Sequence, residues 1–204
     1  MTDPLSRWEV GSTAVLAARS GSTWVPPVAA AIRRHGMRVT HHDIATAPTS
    51  AVMRDASTLG PGKLRAAALL VTGDAPGQLG ASLGEAIAWA EAAAISIRQN
   101  GAIAVVAELP VGSDDRQDEL LLAADLGALA GITRSLMREW LQLNIRVNCV
   151  VTGQVGPGSA ERPSVRSAAE VAALLLTPAF VAVNGAVVMA DEGGFAQLDT
   201  LPML

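Results

Sequence analysis

Six short apolar runs separated by five helical segments run along this chain, and that alternation constrains its fold more than any other feature. TAVLAARS (13–20), MRVTHHDI (37–44), ALLVTG (68–73), GAIAVVAEL (101–109), IRVNCVV (145–151) and GAVVMADEGG (185–194) have the length and bounding turns of strands. Between them lie PPVAAAIRRHG, a short helix over 49–57, and helices over 81–99, 118–143 and 167–176. A strand followed by a helix must cross back to pair in parallel. Repeated alternation therefore predicts an α/β fold, a Rossmann-like doubly wound parallel sheet with helices on both faces. With no internal repeat, linker or domain break, residues 1–204 are expected to form one domain.

The helix over 118–143 carries two contrasting faces. At 3.6 residues per turn Leu122, Leu126, Leu129, Leu136 and Trp140 form one apolar stripe toward the sheet. The opposite face holds Ala124, Gly127, Ala128, Gly131 and Ser135, where a surface helix normally shows charge. Small residues there let another helix approach closely. The helix over 81–99 shows a comparable outer face in Ala88, Ala92, Ile95 and Ser96, beside Trp89. Ala88, Trp89, Ala92, Ile95, Ala124, Ala128, Gly131 and Ser135 are thus the expected interface.

Several segments together resemble the short-chain dehydrogenase/reductase family over almost the whole length. ALAGITRSLMREWLQLNIRVNCVVTG is similar to the helix after the family's catalytic Tyr and the strand ending in Arg-Val-Asn and Pro-Gly; Thr152 stands for the Pro and Gly153 is kept. EVAALLL with NGAVVMADEGG resembles the C-terminal helix and final Asp-Gly-Gly strand, with Glu192 extra. The resemblance implies a nicotinamide oxidoreductase, but its chemistry is missing. The chain contains no Tyr and one Lys, Lys63. The Tyr that protonates a substrate carbonyl, and the Lys that lowers its pKa and holds the ribose, align with Leu122 and Leu126. The Ser position falls near Glu108 or Leu109, and the Asn position near Ala81 or Ser82. Arg19, Thr23 and Val25 stand where three Gly admit a pyrophosphate, with Trp24 adding bulk. The Asn-Asn-Ala-Gly loop corresponds to VTGDAPG, where Asp74 adds negative charge. One strand of the first half is fused or lost, which implies a shortened version of the fold. In the family the two helices with small outer faces form the principal dimer interface.

These departures lead to an expected function. The chain is a catalytically silent subunit with no cofactor and no metal, and it associates with an active short-chain dehydrogenase or with itself. Glu108 and Asp74, both expected at strand ends where such sheets bind ligands, carry an alternative: a non-redox cyclase, dehydratase or isomerase. A ligand sensor is the third possibility. His41 and His42 adjoin on a strand, so their side chains point to opposite faces and do not both chelate. SGST with Arg19 could hold an anion, but Ser22 or Thr23 as an ordinary helix cap is the simpler expectation. A net charge of −4 gives no basic surface for nucleic acid. No uninterrupted apolar run spans a membrane and the N-terminus lacks a signal-peptide pattern, so a cytoplasmic protein is expected. Arg over Lys and abundant Ala suggest a bacterial genome. Cys149, inside an apolar run, is expected as a buried thiol.

Overall fold

The computed structural model describes residues 12–60, 62–73, 75–97, 99–110, 115–153, 165–191 and 194–197. The elements run β1 (Thr13–Ala18), α1 (Val25–Arg34), β2 (Arg38–Asp43), α2 (Ser50–Leu59), β3 (Leu64–Thr72), α3 (Leu79–Ile97) and β4 (Ala102–Glu108). They continue through α4 (Arg116–Glu139), a 3-10 turn (Leu141–Leu143), β5 (Arg146–Thr152), α5 (Val165–Leu176), β6 (Val187–Asp191) and β7 (Gly194–Gln197). The sheet order is β2-β1-β3-β4-β5-β6-β7. The first six strands are parallel, and β7 pairs antiparallel with β6.

This order is the doubly wound arrangement with one strand fewer beyond β2. Only β2 and α2 fit between Gly36 and β3, which accounts for the shortening. Every helix but α1 is shifted by about two residues or more at one end from the sequence expectation, with the helix expected over 118–143 ending at Glu139 before a 3-10 turn, and two differences change the sheet. β3 begins at Leu64, because LRA continues the apolar alternation that ALLVTG shows more plainly. The last apolar run holds a strand and the start of a second, β7, with Asp191 paired to Gly194.

Period-two alternation sorts the buried strands between two cores. On β3, Ala66, Ala68 and Leu70 face α1 and α5, while Ala67, Leu69 and Val71 face α2, α3 and α4. On β4 the same division puts Ala102, Ala104 and Val106 on one side and Ile103, Val105 and Ala107 on the other. Ala predominates toward α1 and α5, so those helices sit close on the sheet and against each other. Each fully buried Leu or Ile, such as Leu69 or Ile103, contributes about 1.5–3 kcal/mol through burial.

Buried polar groups lock the lower loops. The Arg146 guanidinium, 6% exposed, donates to the carbonyls of Leu175, Thr177 and Phe180 at 2.9–3.0 Å. Burial pulls its pKa down to about 10, which leaves it charged at neutral pH. Cys149 is fully buried, as expected, and burial pushes its thiol up to about 12.

Candidate functional site

Open α/β sheets bind ligands beyond the carboxyl ends of their strands, where the order turns back. Here that point lies between β1 and β3. Gly21 has φ +80°, a left-handed conformation that lets the chain turn sharply after β1. Asp43, at the end of β2, holds this turn by accepting from the Ser20 N–H at 3.2 Å and from the Ser20 hydroxyl. The Ser20 hydroxyl first, then the Ala45 N–H, keep the Asp43 carboxyl below its ordinary pKa.

Two side-chain pairs cross this turning point. Trp24, 3% exposed, donates from Nε1 to Glu108 Oε2 at 2.8 Å. The indole thus reaches from the entry of α1 to the end of β4, two strand spacings or about 10 Å across the sheet. From the turn after β1, Arg19 forks onto Glu85 of α3, with Nε–Oε2 3.1 Å and Nη2–Oε1 3.0 Å. Both of these side chains are well exposed, so the ion pair adds little stability. Its contribution is to set opposite charges in contact at the rim.

The entry to α1 lacks the donors of an anion site. Such a site uses free backbone N–H groups in the first helical turn. Pro26 and Pro27 occupy the second and third positions of α1 and have no N–H. The Val25 N–H bonds the Ser22 carbonyl at 3.3 Å, and the Val28 N–H bonds the Trp24 carbonyl at 3.1 Å. The Trp24 N–H points to the Ser22 hydroxyl at 3.4 Å. Neither Ser22 nor Thr23 caps the helix, contrary to expectation; Trp24 is the capping residue and makes no side-chain cap bond. A cap side chain accepts from the second or third N–H, and here both are prolines. The arrangement does not fit a dinucleotide pyrophosphate.

Of the expected acid/base pair, Glu108 stands at the end of β4, half-buried, as expected. Asp74 lies outside the described residues. Leu109 N–H bonds the Thr152 carbonyl at 2.8 Å, and a Cβ on Gly153 would meet the Leu109 carbonyl oxygen at 2.5 Å. Gly153 is therefore required where the ends of β4 and β5 close together. Asp125 was not anticipated: this 7% exposed carboxylate accepts from the Gly77 N–H at 2.9 Å and ties the β3–α3 loop to α4. The signal was a carboxylate between Leu122 and Leu129 on an otherwise apolar stripe. His41 is exposed, while His42 bonds Asp55 at 2.8 Å and lies 5.5 Å from the Trp89 ring. Among the described residues no three His, Cys, Asp or Glu side chains cluster as a metal site.

The expected interface is divided by the structure. Ala88, Ile95, Ala124, Ala128, Gly131 and Ser135 are exposed, Ile95 to 61%. Trp89 and Ala92 are not; they are 2% and 7% exposed and belong to the core. Helix α3 is apolar on nearly every side, so periodicity alone left its rotation open. In the structure Trp89 turns inward, its ring tilted 36° to that of His42.

No protein-family model matches the sequence, and no curated protein does. Solved structures do resemble the fold. A short-chain dehydrogenase/reductase from Serratia marcescens superposes with a TM-score of 0.66 at 15% identity, over 90% of this chain and 98% of its own. An acetoin dehydrogenase from Enterobacter cloacae gives 0.64 at 17% identity, over 89% and 96%. The fold is that of the short-chain dehydrogenase/reductases. On this short-chain dehydrogenase scaffold, Leu122 and Leu126 occupy the positions that the sequence resemblance assigns to Tyr and Lys. Leu122 is 4% exposed and Leu126 is partly buried, and both pack on the core shared by α2, α3 and α4.

Proposed function

We propose that this chain is a catalytically silent subunit on the short-chain dehydrogenase fold. It binds a second chain through the outer faces of α3 and α4, an active family member being the favoured partner and its own copy the alternative. The observation that carries this reading is four helical glycines. A Cβ on Gly80, Gly84, Gly127 or Gly131 would meet nothing within 4 Å. In a helix interior, where Gly84, Gly127 and Gly131 lie, Gly costs about 0.5–1 kcal/mol relative to Ala, so nothing among the described residues calls for it there. A helix from another chain would: without Cβ atoms, backbones pack closer.

The hydropathy of α4 supports the same surface. Its most apolar stretch is hydrophobic enough to cross a membrane, yet only 33% of that stretch is buried within the fold. The inner face rests on the sheet and Asp125 is tied to Gly77, an arrangement suited to a protein partner rather than lipid. The absent Tyr, Leu at the Tyr and Lys positions, and the proline-blocked turn support silence and a lack of nicotinamide cofactor. This reading places the protein in a bacterial cytoplasm, with neither nucleic acid nor membrane as partner.

A second reading rests on Glu108. Its carboxylate is oriented by the Trp24 indole at the ligand-binding end of the sheet, which suits general acid/base work in a non-redox reaction.

Light scattering tests the subunit reading. Ala128→Arg and Gly131→Glu should each cost about 2–4 kcal/mol of association, as charges forced into a close-packed interface do. Circular dichroism should show both variants folded. A wild type that stays monomeric alone and with active short-chain dehydrogenases from its host removes the reading.

A further inference from the structure

Among the described residues the sheet ends at β2, which pairs only with β1. The Arg38 N–H bonds the Ser12 carbonyl at 2.8 Å and the Ile44 N–H bonds the Ala18 carbonyl at 3.0 Å, so the even-numbered residues of β2 turn their backbone groups toward β1. Alternation turns the N–H and C=O groups of Val39 and His41 the other way, out from the edge. Natural sheets blunt such an edge with a bulge, proline or lysine, or cover it. β2 keeps unbroken register with β1 and contains neither Pro nor Lys. Its charged ends are Arg38 and Asp43, and Asp43 is turned onto Ser20.

The helix above this edge is placed for one more strand. α3 lies chiefly over β3, and α2 packs along its flank on the β2 side, where Asp55 bonds His42 at 2.8 Å. Packed helices lie about 8–10 Å apart, or two strand spacings, so α2 is centred on β2 and its outer half overhangs the position beyond. On α2, Ala56 and Leu59 are only half-buried and Met53 is 48% exposed. On the other face of β2, Val39 packs against the α1 core and is half-buried too, whereas every residue of β1 is buried. The doubly wound order places a further strand beyond the second. Such a strand would run about 4.8 Å from β2, with α2 over one of its faces.

We propose that the β2 edge accepts an extended, uncharged segment of a second polypeptide, which pairs with the backbone of Val39 and His41 beneath α2. The row of outward N–H and C=O groups matches another strand's backbone, and the half-buried apolar side chains on both faces of β2 exclude a charge, which would lose its water there. The inference is independent of the α3–α4 interface. NMR on the full chain tests it. In the dilute chain alone the Val39 and His41 amides should exchange with solvent at least tenfold faster than those of Thr40 and His42. Protected Val39 and His41 amides would overturn the proposal, because the edge would already be covered. Backbone-led recognition tolerates sequence, so a capped hexapeptide of alternating Val and Thr serves as the probe. It should shift both resonances and slow their exchange at least tenfold at saturation. The same peptide N-methylated at every residue has no N–H to donate and should do neither. His41→Pro removes an outward donor where an edge strand tolerates proline, and should weaken binding of the unmodified peptide at least tenfold. No response to the unmodified peptide, or an equal response to the N-methylated one, would overturn the proposal.

Discussion

The Trp24 indole N–H and the Glu108 carboxylate meet at 2.8 Å although 84 positions separate them in the chain. Their bond ties the entry of α1 to the end of β4 and lays an aromatic ring across the crevice where this sheet would bind a ligand. A double-mutant cycle with Trp24→Phe and Glu108→Gln should give a coupling of about 1.5 kcal/mol, the low end for a bond to a charged group because Glu108 is partly solvated. Denaturant unfolding of the four proteins measures it. A coupling near zero means that the pair holds nothing together.

Removing the indole should not restore a nucleotide site. Trp24→Gly opens space, but Pro26 and Pro27 still supply no N–H and Val25 keeps its bond to Ser22. Calorimetry with oxidised and reduced NAD and NADP is expected to show no binding for wild type or variant. A low-micromolar dissociation constant for any of the four would defeat both this expectation and the proposed silence.

Rebuilding the missing pair as Leu122→Tyr with Leu126→Lys should destabilise the fold without producing a reductase. Leu122 is 4% exposed, so a larger, polar-tipped ring overfills its site at a cost of about 1–3 kcal/mol. Leu126 is only partly buried, and a Lys there can extend its ammonium to water at lower cost. Thermal unfolding of the two single variants should therefore rank Leu122→Tyr as the more damaging. The reverse ranking would contradict the packing described for α4.

The open glycines allow an opposed pair of effects. Gly84→Ala and Gly127→Ala place a methyl where nothing lies within 4 Å, so each should stabilise the isolated chain by up to about 1 kcal/mol. The same methyls should weaken association. Denaturation measured below the association threshold, paired with light scattering above it, separates the two. Stabilisation with unchanged association would put the interface elsewhere.

Asp43 gives the protein an acid-sensitive contact. Its folded pKa lies below the ordinary 3.8, chiefly through the Ser20 hydroxyl and the Ala45 N–H. The stability it contributes is therefore complete above that value and lost as pH falls through the folded pKa. Wild type should melt above Asp43→Asn by a constant margin near neutrality, and the margin should shrink below about pH 4. A margin that persists at pH 2 would show that the contact does not depend on ionisation.

Local sequence pattern determines much of this protein. Alternating runs gave the order of strands and helices, because periods of 2 and 3.6 are properties of neighbouring residues. The stripe through Leu122, Leu129 and Leu136 marked the buried face of α4, and the absence of Tyr was plain. Pro26 and Pro27 were equally visible; their meaning followed once α1 was seen to begin at Val25. Contacts between distant segments decided the rest. Nothing local pairs Trp24 with Glu108, or Asp125 with Gly77, since each meeting depends on which strand ends become neighbours. Trp89 turns inward, into the core and beside His42, although α3 is apolar nearly all round and its own periodicity does not fix which side faces the sheet. β7 likewise became a strand by pairing with β6, since a strand's hydrogen bonds belong to its partner as much as to itself.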